Sequence, residues 1–458
     1  MKLTLGQIAD WIHAEGDFAS SAEVYGYSID SRTIGADEVF FAVKGERLDG
    51  HDYVEAALQA GAAAAVVSTR WVVPAEVDAA KLLRVPESED CVLRAMQTLA
   101  RQVRRKWGKR VIGITGSAGK TTTKEMVAQV LSARFNVLKS AGNLNNNFGV
   151  PLQLLRLEEE HEAAVIEMGM NHAGEIAELA KIAEPNWGVV SNVAPVHLEH
   201  FPEGIRGIAA AKRELIEALS ADGVAFLNAD DEFVRTFADG KRARKFGMAE
   251  GADVRAINVQ NGGPDGMRFT VLTHAGDAQA HIALMGTHNV YNALAGIAVG
   301  LESGIPLNEC IQAAAQLKPT EKRGEMVEWK GARIINDVYN SNPRALDAMV
   351  DALMAVEAPR HIVIAGEMLE LGPDAEKLHR ACGQYAAGRG ADAVVGVRGH
   401  AARLVEGAAD AGAEAAFVHS PEEAAEWMRA NLREGDVVLL KASRGVRLER
   451  ALAALLAG

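Results

Sequence analysis

One stretch constrains this chain more than any other: Val111-Ile-Gly-Ile-Thr-Gly-Ser-Ala-Gly-Lys-Thr-Thr-Thr-Lys-Glu125. A β-branched run enters it, a glycine-rich turn follows, and a helix-forming segment from Lys124 to Phe135 leaves it. Strand, glycine loop and Lys-Thr at a helix start are how a chain cradles a polyphosphate. Backbone N–H groups and the helix N-terminus face the anion, Lys120 adds a point charge, and Thr121 offers a hydroxyl to Mg²⁺. The standard pattern requires glycine at position 114, where this chain carries Ile114, with Gly113 one place too early and Gly116 closer to Gly119. The loop therefore has the form Thr-Gly-x-x-Gly-Lys-Thr. A plain glycine turn has no need of Lys-Thr-Thr at the helix start. ATP or GTP is the expected ligand, held by Thr115, Gly116, Ser117, Ala118, Gly119, Lys120, Thr121 and Thr122.

A chain of 458 residues exceeds one core, so about two to four domains are expected. Its 48% apolar and 24% charged residues are those of an ordinary soluble globular protein. A formal charge of −13 argues against a nucleic-acid partner, which needs basic surface. The basic cluster Arg101 to Lys109 reads as a solvated helix face. Cys91, Cys310 and Cys382 are far apart and form no CxxC pair. They offer neither a zinc site nor a disulfide framework, and a reducing compartment is expected. No signal-peptide core and no membrane-length apolar run is visible, so a cytoplasmic protein without a membrane partner, acting as a monomer, is the simplest expectation.

In chain order, Val39–Val43 and Ala63–Ser68 read as strands with a helix at Tyr53–Ala60 between them. The intervening turns carry Ser31, Arg32, Lys44 and His51. These are ordinary surface-loop residues that would equally suit an anionic, hydroxyl-rich ligand. Pro86 and the acidic Glu87–Asp90 mark a boundary, followed by a helix from Cys91 to Trp107. Strands at Ala163–Met168, Trp187–Asn192 and Gly223–Asn228 alternate with helices, the pattern of a parallel sheet covered on its faces. A less regular β-prone region spans Ala252–Leu284, and Pro319–Gly324 forms a hinge-like connector. Beyond it, strands at Arg333–Val338, His361–Ala365, Ala393–Val397, Ala415–His419 and Asp436–Lys441 alternate with Ala-rich helices, a second doubly wound arrangement. The expected fold is α/β in three domains: a small mixed α/β unit (1–84), a central P-loop ATPase-like parallel-sheet domain (85–318) and a Rossmann-like domain (319–458).

Ligands of parallel sheets gather at the carboxyl ends of the strands. Glu167 ends such a strand, and a carboxylate there can hold Mg²⁺ opposite Thr121 or orient water. His197 follows another strand end, but a lone histidine is more often structural. Lys212 lies in a helical run, where an exposed lysine is the default. Asn143, Asn145, Asn146 and Asn147 cluster before Gly149-Val-Pro151. Asparagine suits turns, yet so many amides in so few positions also suit a polar ligand.

These motifs together resemble the Mur ligase family of bacterial cell-wall synthesis over essentially the whole chain. The resemblance rests on Thr115–Thr123, Gly142–Asn146 with Gly149–Pro151, Glu167–Glu175, Asn192–Glu199 and His288-Asn-Val-Tyr-Asn292. Asp337–Pro343, Gly366–Gly372 and Lys441–Gly445 complete it. These last three look most like the family member that joins D-alanyl-D-alanine to UDP-N-acetylmuramoyl-tripeptide. The resemblance implies that Thr121 and Glu167 hold one Mg²⁺, and that His197 binds a second with Lys212 carrying a carbamate. It implies that Asn289 and Asn292 meet adenine, and that Arg323 and Asp337 meet phosphates and ribose. Asn143, Asn145 and Asn146 would touch the muramoyl-peptide. The N-terminal turns with Ser31, Arg32, Lys44 and His51 would hold the UDP end, and Asn340, Asn342 and Ser443 would receive D-Ala-D-Ala. The triplet Lys212-Arg-Glu214 departs from the Lys-Gly-Glu associated with this member.

The implied reaction is ATP-dependent amide formation through an acyl phosphate, with Lys120, Glu167, His197 and Lys212 at its centre and no protein nucleophile. Sibling ligases that add diaminopimelate, lysine or glutamate, a folylpolyglutamate-type synthase, and a nucleotide-gated binding protein are the alternatives.

Overall fold

The computed structural model describes residues 1–458 except His197, Asp239, Thr320 and Gly458. Three sheets carry the architecture. The first has four parallel strands: Gly26–Ser28, Glu38–Phe41, Ala64–Ser68 and Leu82–Val85. The central sheet has nine, in the spatial order 276–282, 267–273, 254–261, 242–247, 224–228, 187–190, 110–115, 163–167 and 137–139. The third has six, in the order 325–329, 332–337, 437–441, 361–366, 393–397 and 414–418, parallel except for the first strand.

Fully buried Ile112, Ile114, Val165, Val189 and Phe226 explain the central parallel strands: both faces are covered, so apolar runs replace strict alternation. The Ala252–Leu284 region extends this sheet as antiparallel strands. A register shift between Ile257 and Gln260, with Asn258 at φ 52°, breaks the alternation that would have marked a strand. The Arg242–Gly247 strand was equally hidden, because its Arg242 and Arg244 pair with Glu302 instead of presenting an apolar face.

The helix after the glycine loop spans Lys120–Leu131, not Lys124–Phe135. Gly119, at φ 77°, turns the chain so that Lys-Thr-Thr-Thr already winds as helix, overriding the weak propensity of threonine. The helix Cys91–Trp107 has the expected bounds, but its basic end is not simply solvated. Arg104 is buried and donates to the Ala183 and Glu184 carbonyls and Asn186 Oδ1, while Arg101 and Arg105 pair with Glu184. One apolar core runs from Leu3 through Val39, Met96 and Val111 to Leu227, so the first sheet is seated on the central one through this helix.

The connector is woven into the third sheet. Gly324 donates to the Asn336 carbonyl, and Tyr339 donates to the Lys322 carbonyl. All three cysteines are free. Among the described residues no helix is long and apolar enough to cross a membrane.

Candidate active site

The carboxyl ends of the central strands and the facing edge of the third sheet enclose a cavity of about 600 Å³. The glycine loop forms one wall. Its conformation depends on two glycines: Gly116 at φ 150°, where a Cβ would stand 2.0 Å from Ser191 Oγ, and Gly119, where one would stand 3.1 Å from Asn292 Oδ1. Missing glycine at 114 costs nothing here, because Ile114 is an interior strand residue. The loop is stitched to the segment after Val190. Ser117 N–H donates to the Asn192 carbonyl, Ala118 N–H to Asn192 Oδ1, and Ser191 Oγ to the Ala118 carbonyl. Thr115 is buried beneath the loop and donates to the Met168 carbonyl, so its hydroxyl serves the scaffold.

Lys120 folds over the loop, donating to the Gly116 and Ser117 carbonyls at 2.9 and 3.3 Å. Burial pushes its ammonium below the usual lysine range, opposed by the negative field of Glu167 and reinforced by Arg323. A polyphosphate entering the cradle supplies the missing negative charge.

Glu167 is buried at the end of its strand. Oε1 accepts from Asn145 Nδ2 at 2.8 Å, and Oε2 has no hydrogen-bond partner among the described residues. An orphaned buried carboxylate oxygen beside a cavity is costly unless a cation or donor joins it. Together with the Thr121 hydroxyl on the same lining, it fits Mg²⁺. Among the described residues no three His, Cys, Asp or Glu side chains converge on a metal position. That matches an ion which takes one or two protein ligands and completes its octahedron with phosphate oxygens and water. His197 lies outside the described residues.

Lys212, on the helix Ile205–Glu217, is buried rather than exposed. Desolvation, then the positive charge of Lys120, pushes its amine well below the ordinary lysine value, opposed by Glu214 and Glu175. Glu214 is itself engaged, accepting from the Gly174 and Ala177 N–H groups at the start of the helix Glu175–Ala183.

From the helix Thr287–Glu302 come Asn289 and Asn292, both buried on the cavity wall. Asn292 Nδ2 donates to Asn289 Oδ1, Thr123 Oγ donates to Asn292 Oδ1, and Asn289 Nδ2 donates to the Met285 carbonyl. The third domain adds Arg323, whose Nη2 donates to Thr121 Oγ at 3.1 Å, and Asp337, paired with Lys441. Asn340 also lines the cavity. Asn342 lines it too while its Oδ1 caps the helix Pro343–Met354, accepting from Ala345 N–H, and Ser443 Oγ accepts from Leu369 N–H. In the asparagine loop, Asn143 and Asn145 face the cavity, whereas Asn146 Oδ1 accepts from the Phe148 and Gly149 N–H groups as a turn residue.

The N-terminal candidates lie away from this cavity. Arg32 is exposed and holds Asp30 by both Nε and Nη2. Lys44 bridges by backbone to Asp49. Both ring nitrogens of His51 are used, by Asp49 and by Ser68 N–H. Ser31 sits in the turn between Asp30 and Thr33. Cavity residues not singled out from sequence include His288, Tyr339 and Lys441, all inside quoted motifs, and Arg344, which faces Asp231, a buried carboxylate that accepts from three backbone N–H groups.

Models of the Mur ligase family match three consecutive segments. These are the Mur ligase family catalytic domain at 23–105, the Mur ligase middle domain at 114–300, and the Mur ligase, glutamate ligase domain at 322–444. A Bacillus subtilis (strain 168) protein named UDP-N-acetylmuramoyl-tripeptide--D-alanyl-D-alanine ligase is 34% identical, the alignment covering 98% of this chain and 97% of that protein. Among solved structures, MurF from Acinetobacter baumannii is similar with a TM-score of 0.90 at 29% identity, covering 100% of this chain and 99% of that one. MurF ligase from Thermotoga maritima, solved in complex with ADP, has a TM-score of 0.82 at 28% identity, covering 94% and 97%.

Proposed function

The chain belongs to the Mur ligase family, and from that premise we propose that it joins D-alanyl-D-alanine to UDP-N-acetylmuramoyl-tripeptide, converting ATP to ADP and phosphate. It is an ATP-dependent amide-bond-forming ligase of peptidoglycan precursor synthesis. The observation that carries the reading is convergence on one cavity: Lys120 and Thr121 from the glycine loop, the orphaned Glu167 oxygen, and Arg323 with Asp337 from the third domain.

The tripeptide carboxylate oxygen attacks the γ-phosphorus as the bond to the β-bridging oxygen breaks, giving an acyl phosphate and ADP. The free amine of D-Ala-D-Ala attacks the acyl carbon, and the C–O bond to phosphate breaks as the amide forms, the nitrogen's surplus proton passing to the departing phosphate. Positioning and charge neutralisation are the protein's share. Lys120 and Arg323 take the phosphate charge, and Asn289 and Asn292, whose amides are bonded to each other, form the wall that meets adenine. Asp337 offers its carboxylate to ribose hydroxyls. Thr121 and Glu167 would hold Mg²⁺, which would lower the repulsion between carboxylate and triphosphate when bound. A second ion would be held by His197 and a carbamate on Lys212. The burial and depressed basicity of Lys212 support this, because CO₂ adds only to the neutral amine.

Residues 1–84 take the UDP end, with Ser31, Arg32, Lys44 and His51 as contacts, 85–318 take ATP, and 319–458 receive D-Ala-D-Ala near Asn340, Asn342 and Ser443. Asn143, Asn145 and Asn146 lie on the muramoyl-peptide path. The enzyme acts as a cytoplasmic monomer. Closure about Pro319–Gly324 excludes water while the acyl phosphate exists. Lys120→Ala tests the nucleotide assignment: ADP formation falls at least ~100-fold with an unchanged far-UV spectrum, and near-normal turnover overturns it.

A further inference from the structure

We infer that Asn145 is a positioning residue for the metal carboxylate: it fixes Glu167 so that a single oxygen is presented to Mg²⁺. The inference rests on the reading of Glu167 as a metal ligand. Three contacts support it. Asn145 Nδ2 donates to Glu167 Oε1 at 2.8 Å, which leaves Oε2 buried and unpartnered among the described residues. The Asn145 carbonyl accepts Gly169 N–H at 2.8 Å, tying its backbone to the residues just past the Glu167 strand. Glycine at 169 makes that approach possible, since a Cβ there would lie 2.9 Å from the Asn145 side chain. The Glu167 backbone is held separately, its N–H donating to Ser140 Oγ at 3.1 Å.

A hydrogen bond to one oxygen restrains the rotation of the carboxylate and leaves the other oxygen as its open ligand position. Mg²⁺ demands near-octahedral geometry at short range, so a single fixed oxygen suits it better than a mobile bidentate group. Partners that orient a ligating side chain typically carry roughly 10- to 100-fold in metal affinity. Asn145 is then separated in role from its neighbours: Asn146 caps a turn, and Asn143 faces the cavity.

The test is Mn²⁺ binding in the presence of ADP, followed by electron paramagnetic resonance and calorimetry on wild type, Asn145→Leu, Asn145→Ser and Glu167→Gln. Both Asn145 variants are expected to weaken Mn²⁺ binding about 10-fold or more and to alter the bound-metal spectrum. Metal-free ADP affinity, which also reports an intact fold, stays at the wild-type value. Unchanged Mn²⁺ affinity in the Asn145 variants, with Glu167→Gln impaired, overturns this inference and leaves the Glu167 assignment standing. Weakened muramoyl-peptide binding with normal Mn²⁺ binding also overturns it and makes Asn145 a direct substrate contact. Normal Mn²⁺ binding in Glu167→Gln overturns the metal assignment itself.

Discussion

Arg323 donates to the Thr121 hydroxyl at 3.1 Å, and its guanidinium lies 3.9 Å from the Tyr339 ring centroid. A connector residue is thus stacked on the third domain while it reaches the first turn of the nucleotide helix. Arginine suits this place because its planar fork can stack and hydrogen-bond at once.

Arg323→Ala is expected to raise the KM for ATP roughly 10- to 100-fold, the value of a charge-assisted hydrogen bond in a desolvated site. Arg323→Lys restores little of it, since an ammonium neither stacks as well nor forks. Steady-state titration with ATP decides the matter; an unaltered KM in both variants removes Arg323 from the nucleotide site.

The sequence made some of this legible and hid the rest for identifiable reasons. Apolar runs such as Ala163–Glu167 and Ala393–Val397 announce buried parallel strands, because both faces need covering. The Lys-Thr start of the nucleotide helix is local chemistry and reads directly. The irregular bulged strand at Val254–Asn261 has no clean period, so it reads only as part of a β-prone region and not as a strand with bounds. Among site residues, Thr121 and Glu167 follow from their place at strand and loop ends. Lys212 read as an exposed lysine because its helix pattern says nothing of what covers it; the fold buries it. The pairs Arg323–Thr121 and Asn145–Glu167 join distant segments and are visible only in three dimensions.

Lys212→Ala is expected to lose most activity and to recover part of it with short carboxylates such as formate or acetate, which supply the anionic oxygen of the carbamate. Wild-type activity should fall in CO₂-depleted buffer and return with bicarbonate. No rescue, together with bicarbonate-independent activity, excludes the modification.

His288 gives the protein an acid limb of instability. Asn289 Nδ2 lies 3.2 Å from its Nε2, which therefore accepts, while Nδ1 is buried without a hydrogen-bond partner among the described residues. Burial, opposed by the charge of Asp337 and aided by Lys441, lowers its pKa to about 4 from the ordinary histidine value of about 6.5. Above that ordinary value the folded and unfolded states are both neutral, and His288 contributes no pH dependence. Between about 6.5 and 4 the unfolded chain binds the extra proton, so stability falls as pH drops, by up to roughly 3 kcal/mol. Urea denaturation across this range should show a shallower acid loss in His288→Leu than in wild type; parallel curves contradict the assignment.

The central claim is ligation of one dipeptide to one nucleotide-linked peptide, and the most direct measurement is phosphate release with each acceptor amine in turn. With ATP, Mg²⁺ and UDP-N-acetylmuramoyl-tripeptide present, release is predicted to require D-Ala-D-Ala and to match the amide formed mole for mole. Diaminopimelate, lysine and glutamate should leave it at background. Release supported by one of those amines instead, or release that proceeds equally with no amine, would contradict the account.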